Sequence, residues 1–269
     1  ALKFCATARV VKPMSFYGPP REQLGTVVSG LTQVEEIYQE HGLSTFMQDN
    51  LVALMRNEHF VLDDSFVAAL LGNADGDSDA SKIWRLHTCC WAARSALAVD
   101  GDFVECGTYQ GFYTGVITQY LQFMHLPRQF YLYDSFAGLP EQWSTEMERT
   151  QANPGYEWDG VHQAVIDRFA VYPNVRVVKG IVPEVFDDVL PERIAFLHMD
   201  LNAGAAETAA LDRLLPLLSD GAMVVLDDFG RLEQRELCKA HVDWWSAHGH
   251  SVLELPTGQG LVTFRKSAV

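Results

Sequence analysis

Asp102 to Gly115 constrains this chain more than any other stretch. A short apolar run, Phe103 and Val104, meets an acid at Glu105, then a glycine-bearing turn, Cys106-Gly107-Thr108-Tyr109-Gln110-Gly111, then a helical run from Phe112 through Met124. Strand, glycine turn and helix in that order open a parallel α/β unit and leave unpaired N–H donors at the helix start. Gly107 is expected to take backbone angles closed to other residues, and Gly111 to let a ligand approach the main chain. The spacing Gly107-x-x-x-Gly111 is not the G-x-G-x-x-G of a dinucleotide fingerprint. With a carboxylate at the strand tip, the turn suits a cationic or hydroxylated ligand end better than a pyrophosphate.

Downstream, apolar runs alternate with helix-period segments. Phe130 to Asp134, Val175 to Lys179, Ile194 to Asp200 and Met223 to Asp227 read as strands, with helices expected over 161–170, 183–190, 206–218 and 233–248. Such alternation builds a parallel sheet with right-handed crossovers. The last two strands, Ser251 to Leu255 and Gly260 to Arg265, are joined only by Pro256-Thr257-Gly258-Gln259, and so short a turn forces them antiparallel. The expected fold is α/β, a Rossmann-like doubly wound sheet, mostly parallel, closed by an antiparallel C-terminal hairpin. That arrangement resembles class I methyltransferases and departs from a nicotinamide-dependent domain.

Residues 1–80 are expected to stand apart from the sheet domain, 81–269. Residues 1–30, with Pro13, Pro19, Pro20, Gly18, Gly25 and Gly30, read as an arm suited to a partner subunit or a cleft, and hence to a homo-oligomer. A helical cap follows from Leu31 to about Leu71, where Leu31, Val34, Ile37 and Tyr38, then Leu51, Leu54, Met55 and Phe60, keep helical spacing. The carboxylate-rich stretch Gly72 to Asp79 lacks the glutamate of a calcium loop and reads as a solvated linker. A helix from Ile83 to Val99 leads into the first strand. Between Ala137 and Gly160 no periodicity is visible. Gly138, Pro140, Pro154, Gly155 and Gly160 break that stretch and Trp143, Tyr156 and Trp158 are available to cover a ligand, so a lid is expected there.

Composition narrows the partners. A balance of 20 Lys and Arg against 35 Asp and Glu gives a net charge of -15, which opposes nucleic acid and anionic membrane surfaces. The five cysteines include no C-x-x-C pair, which argues against a disulfide framework or a zinc site and for a reducing compartment. No apolar run approaches the roughly 20 residues that span a bilayer, and no signal-peptide pattern stands at the N-terminus. A cytoplasmic protein acting on a small molecule is the expectation.

Ligands of doubly wound sheets sit beyond the carboxyl ends of the strands, and four strands here end in acids: Glu105, Asp134, Asp200, and Asp227 with Asp228. Asp134 lies where a ribose diol is expected, and a carboxylate accepts hydrogen bonds from both hydroxyls. Asp200, Asp227 and Asp228 end neighbouring strands and crowd three negative charges together, an arrangement that raises pKa values or calls for a hard cation such as magnesium. His198 reads as a hydrogen-bonded core residue, His241 as a surface residue, and Trp244 and Trp245 as helix packing.

At this point GDFVECGTYQG, YLYDSFAGLPE, VRVVKGIVPEVF, IAFLHMD, GAMVVLDDFG and LPTGQGLV resemble, in order, the successive motifs of the macrocin O-methyltransferase (TylF-like) family. The similarity covers roughly residues 84–266. It implies an S-adenosylmethionine-dependent, metal-assisted enzyme, many members acting on sugar hydroxyls of natural products. It further implies that Glu105, Gly107 and Gly111 line the methionine end of the cofactor and that Asp134 holds the ribose. Thr108, Tyr109, Ser135, Gly180 and Ile181 are the further cofactor contacts expected. Asp200, Asp227 and Asp228 are implied to bind the divalent ion, with Asp200 also suited to take the acceptor's proton. One departure stands out: the family runs after Asp200 to a second acid and a Tyr, where this chain has Leu201-Asn202-Ala203-Gly204. The rival readings are a noncatalytic binding protein that keeps the fold and a nicotinamide-dependent oxidoreductase, the latter opposed by the glycine spacing and the final hairpin.

Overall fold

The helical spacing between Leu31 and Leu71 is interrupted by a β-hairpin. The computed structural model describes residues 16–18, 20–151 and 160–266, and separates Ala1–His87 from Thr88–Val269. In the first unit, α1 (Arg21–Glu40) starts inside the stretch expected to be an arm, and β1 (Thr45–Gln48) pairs antiparallel with β2 (Leu51–Leu54). Asp49 and Asn50 join them at φ 51° and 58°. Two successive left-handed residues make the tight turn that hairpins favour, so the Asp-Asn dipeptide outweighs helical spacing there. Helix α2 (Asp64–Asn73) is capped by Asp63, which accepts the Ser65 and Phe66 N–H groups at 3.0 and 3.2 Å. A four-residue helix, α3 (Asp77–Ala80), occupies part of the expected linker, and the unit boundary falls inside α4 (Ile83–Ser95). Residues 1–15 of the expected arm lie outside the described residues.

The second unit is built on β3 (Asp102–Cys106), β4 (Phe130–Asp134), β5 (Val175–Lys179), β6 (Ile194–Met199) and β7 (Leu218–Leu226), closed by β8 (Leu253–Glu254) and β9 (Gly260–Thr263). Their spatial order is β5-β4-β3-β6-β7-β9-β8. The first five run parallel, and β9 inserts antiparallel between β7 and β8. Chain order reverses between β3 and β6, so the switch point where such sheets bind ligands lies between those two strands. The connecting helices are α5 (Phe112–Tyr120), α7 (Val161–Phe169), α8 (Gly204–Leu214) and α9 (Arg235–Ala247). β6 is buried along its whole length, as a central parallel strand covered on both faces must be. Val104, Leu197, Val224 and Val262 from four strands, with Leu211, Leu214 and Trp245 from the helices, belong to one buried cluster.

The expected lid contains a helix. Thr145 and Glu148 form a reciprocal capping box: Glu148 Oε2 accepts the Thr145 N–H at 2.7 Å, and Thr145 Oγ1 accepts the Glu148 N–H at 3.2 Å. They start α6 (Glu146–Gln151). Pro154, Gly155, Tyr156 and Trp158 lie outside the described residues.

Both glycines of the first turn are set by packing. At φ 91°, a Cβ on Gly107 would stand 1.9 Å from the carbonyl oxygen of Asp200, so the tips of β3 and β6 meet only because that atom is missing. Gly111 has φ 76° and its Cβ would strike the Phe169 ring at 2.6 Å, so what its bare side admits is α7. Gly107→Ala is expected to prevent accumulation of folded protein, because main chain on both sides would have to part. Circular dichroism and soluble yield beside the wild type check this, and a native-like melt would contradict it.

Candidate active site

The acid of the first strand faces inward. Glu105 is 1% exposed; its Oε2 accepts the Thr114 hydroxyl of α5 at 2.7 Å, and its Oε1 lies 3.0 Å from Nδ1 of His198 on β6. His198 is fully buried, and its Nε2 lies 3.5 Å from Asp227 Oδ1. Burial opposes a charge on this imidazole, but the Asp227 and Glu105 carboxylates around it raise its pKa well above the usual value. Burial raises the Cys89 pKa, so that group stays a thiol. The side chain expected to meet the methionine end of a cofactor is therefore engaged in a core network, as His198 was expected to be.

Asp134 builds the turns beyond β3 and β4. Its Oδ2 accepts the Tyr109 N–H at 2.7 Å and its Oδ1 the Phe136 N–H at 2.6 Å. Tyr109 and Phe136 have φ 48° and 52°, a conformation that costs ordinary residues roughly 1–2 kcal/mol, and this one carboxylate compensates both. Burial raises the Asp134 pKa against the N–H groups of Tyr109, Phe136 and Thr108. A carboxylate offers about four lone-pair directions, so these bonds leave acceptor capacity. Ser135 shapes the next turn, donating to the Gly138 carbonyl at 2.8 Å and accepting the Ala137 N–H at 3.1 Å. Thr108 Oγ1 is buried in the Gly107 turn with no hydrogen-bond partner, and the adjoining start of α5 has no side-chain cap. Unspent polar groups at this turn fit a bound ligand. At the tip of β5, a Cβ on Gly180 would stand 2.4 Å from Val185 Cγ2, and the Ile181 carbonyl accepts the Val185 N–H at 2.8 Å; both residues shape the turn there.

The three aspartates come together. Asp200 follows β6, and Asp227 and Asp228 follow β7; one carboxylate oxygen from each lies within 4.8 Å of the other two. Asp200 is partly exposed while the other two are buried. Each has its Oδ1 held by a donor: Asp200 by Asn202 Nδ2 at 3.1 Å, Asp227 by Gln259 Nε2 at 2.9 Å, and Asp228 by Arg231 Nη1 at 3.1 Å. Three hard oxygen donors, oriented in advance and drawn from adjacent strands, fit a magnesium-sized cation.

The sequence model of the Macrocin-O-methyltransferase (TylF) family matches residues 80–251. The chain belongs to this family. Over 159 residues, 54% of the chain and 60% of the relative, it is 28% identical to the Streptomyces olivaceus 8-demethyl-8-(2,3-dimethoxy-alpha-L-rhamnosyl)-tetracenomycin-C 4'-O-methyltransferase. Over 161 residues, 54% of the chain and 62% of the relative, it is 28% identical to the Micromonospora griseorubida Mycinamicin III 3''-O-methyltransferase. It thus spans about three fifths of the length of these curated relatives. Its fold is that of class I methyltransferases: it is similar to the O-methyltransferase NovP, at TM-score 0.60 and 20% identity over 75% of this chain and 88% of that one. It is also similar to the calicheamicin methyltransferase CalS11, at TM-score 0.55 and 16% identity over 78% of this chain and 86% of that one.

Within this TylF-family chain, the participants that sequence reasoning missed are donors. Gln259 is buried and donates to both Asp227 and Cys89 Sγ, the latter at 3.4 Å. His241, expected at the surface, is fully buried and lies 2.6 Å from Glu207 Oε2. It sits on the inward stripe of α9 with Leu237 and Trp245, four residues to either side, and that spacing was the available signal.

Thr114→Val keeps the shape of the side chain but removes the donor to a buried carboxylate. It is expected to destabilise the protein by about 1.5–3 kcal/mol, while Thr114→Ser stays near wild type. Urea denaturation of the three proteins measures this.

Proposed function

We propose that this chain is an S-adenosylmethionine-dependent, divalent-metal-assisted O-methyltransferase acting on a hydroxyl of a small molecule, a sugar carried by a natural product. One observation carries the reading: three aspartate carboxylates converge at the sheet edge beside the Gly107 turn, in a chain whose family match spans both. Of the two curated relatives, one is named for O-methylation of a rhamnosyl-bearing tetracenomycin and the other for O-methylation of mycinamicin III, which supports the acceptor class.

Bound at the β3 and β4 turns, S-adenosylmethionine supplies an electrophilic methyl group. The chain's part is to hold and to orient. Asp134 fixes the two turns, Thr108 Oγ1 offers a spare polar contact, and Glu105 secures the strand from behind. Methyl transfer requires the acceptor oxygen to lose its proton as the new bond forms, and Asp200, the most exposed of the three acids, is the one suited to receive it. Asp200, Asp227 and Asp228 would hold a divalent ion, which would supply Lewis acidity toward an acceptor hydroxyl. Gln259 and Arg231 keep two of those carboxylates facing the same point. Trp143, whose indole N–H donates to Glu184 at 3.1 Å, and α6 belong to the segment suited to cover the acceptor.

Calorimetry should show S-adenosylhomocysteine binding and no NAD binding, with Asp134→Ala weakening it by about 1.5–3 kcal/mol. Wild-type affinity for NAD, with none for S-adenosylhomocysteine, would end this reading. With a panel of glycosylated acceptors and isotope-labelled cofactor, chelator should abolish transfer and magnesium restore it. Asp227→Asn should lose activity that excess magnesium partly recovers, since the amide keeps an oxygen ligand but lowers the charge. Activity indifferent to chelator would remove the metal from the mechanism.

A further inference from the structure

Three strand tips carry a non-glycine residue in the left-handed region: Tyr109 beyond β3, Phe136 beyond β4 and Asn202, at φ 58°, beyond β6. Asp134 accepts the N–H of the first two. The third turn has its own carboxylate. Glu207, buried in the first turn of α8, accepts at Oε1 the N–H groups of both Leu201 and Asn202, each at 3.0 Å. Its Oε2 is held at 2.6 Å by Nε2 of the buried His241. A buried carboxylate is tolerated only when its lone pairs are used, and these are used on the turn that follows Asp200. Asn202, so seated, turns its amide onto Asp200 Oδ1. The same turn receives α6, since Glu148 Oε1 accepts the Gly204 N–H at 2.9 Å.

Glycine would take φ 58° at lower cost than asparagine, so backbone demand alone does not account for this residue. Its amide donates to Asp200 Oδ1 at 3.1 Å, a contact that glycine could not make. A carboxylate there would stand about 3 Å from Asp200, and like charges that close cannot both stay ionised without a cation. The amide attracts Asp200 where the acid would repel it.

We propose that Asn202, seated by the Glu207–His241 pair, is a positioning residue that holds Asp200 in its ion-binding orientation and so sets the divalent-ion affinity of the three-aspartate site. This rests on the metal reading of that site. The amide brings no charge of its own, so its contribution is orientation, of the kind that outer partners of metal ligands supply elsewhere at about 10–100-fold in affinity.

The decisive variant is Asn202→Gly, which keeps the left-handed turn and deletes only the amide. Mn²⁺ is titrated into the full chain, saturated with S-adenosylhomocysteine, and free Mn²⁺ is read by electron paramagnetic resonance. The expected result is a Kd for Mn²⁺ raised about tenfold, with S-adenosylhomocysteine affinity and the thermal midpoint as in wild type. A purely structural role would shift the midpoint and leave the Mn²⁺ affinity alone. Wild-type Mn²⁺ affinity in Asn202→Gly would overturn the proposal and spare the metal site, whereas a wild-type chain that binds no Mn²⁺ would remove both.

Discussion

The carboxyl edge of this sheet depends on how near the tips of β3 and β6 come to one another. The Asp200 N–H donates to the Cys106 carbonyl at 2.8 Å, and the Asp200 carbonyl fills the space beside Gly107 where a side chain would otherwise begin. The Gly107 turn and the first of the clustered acids are therefore main-chain neighbours before any side chain is considered. One step inward, the Glu105–His198 contact spans the same two strands, and Asp227 extends it to the third. Charges so buried carry a desolvation cost of several kcal/mol each, which their mutual contacts and the Thr114 and Gln259 hydrogen bonds offset.

Acids of one type do three jobs along this edge. Glu105 supports the sheet from within, Asp134 and Glu207 accept the N–H groups of left-handed residues, and Asp200, Asp227 and Asp228 converge on a common point. What separates the jobs is depth and the direction of the available donors. Main-chain N–H groups reach Asp134 and Glu207, whereas amide, amide and guanidinium side chains reach the convergent three from outside. Turns organised in this way need little rearrangement on ligand binding, the condition under which binding energy is least spent on ordering.

The parallel sheet was legible because apolar strands and amphipathic helices differ in period, and the closing hairpin because four residues cannot carry a crossover. Asp200, Asp227 and Asp228 were legible as a set because apolar strands fix where their tips must lie. Periodicity reports which residues are buried, and it is silent on what a buried polar group pairs with. Glu105 finds His198 across 93 positions, and nothing local to either residue announces the pair. His241, expected at the surface, instead shares the inward stripe of α9 with Leu237 and Trp245. The β1–β2 hairpin and α6 were missed for a different reason: the Asp49-Asn50 turn and the Thr145/Glu148 box are local signals that were present but outweighed by spacing and by the glycines and prolines nearby.

The position of β9 has a consequence for synthesis. It pairs with β7 along Met223 to Leu226, and the turn before it carries the Gln259 amide that holds Asp227. A ribosome delivers Asp200, Asp227 and Asp228 well before residues 259–263. Until β9 inserts, the nascent chain presents β7 as an open apolar edge, the kind of surface that recruits other strands, beside an acid that has yet to receive its amide. The last strand of the sheet to emerge thus closes the aggregation-prone edge and completes the brace of the acidic cluster in one event, so a chain stalled short of it would be both sticky and unfinished.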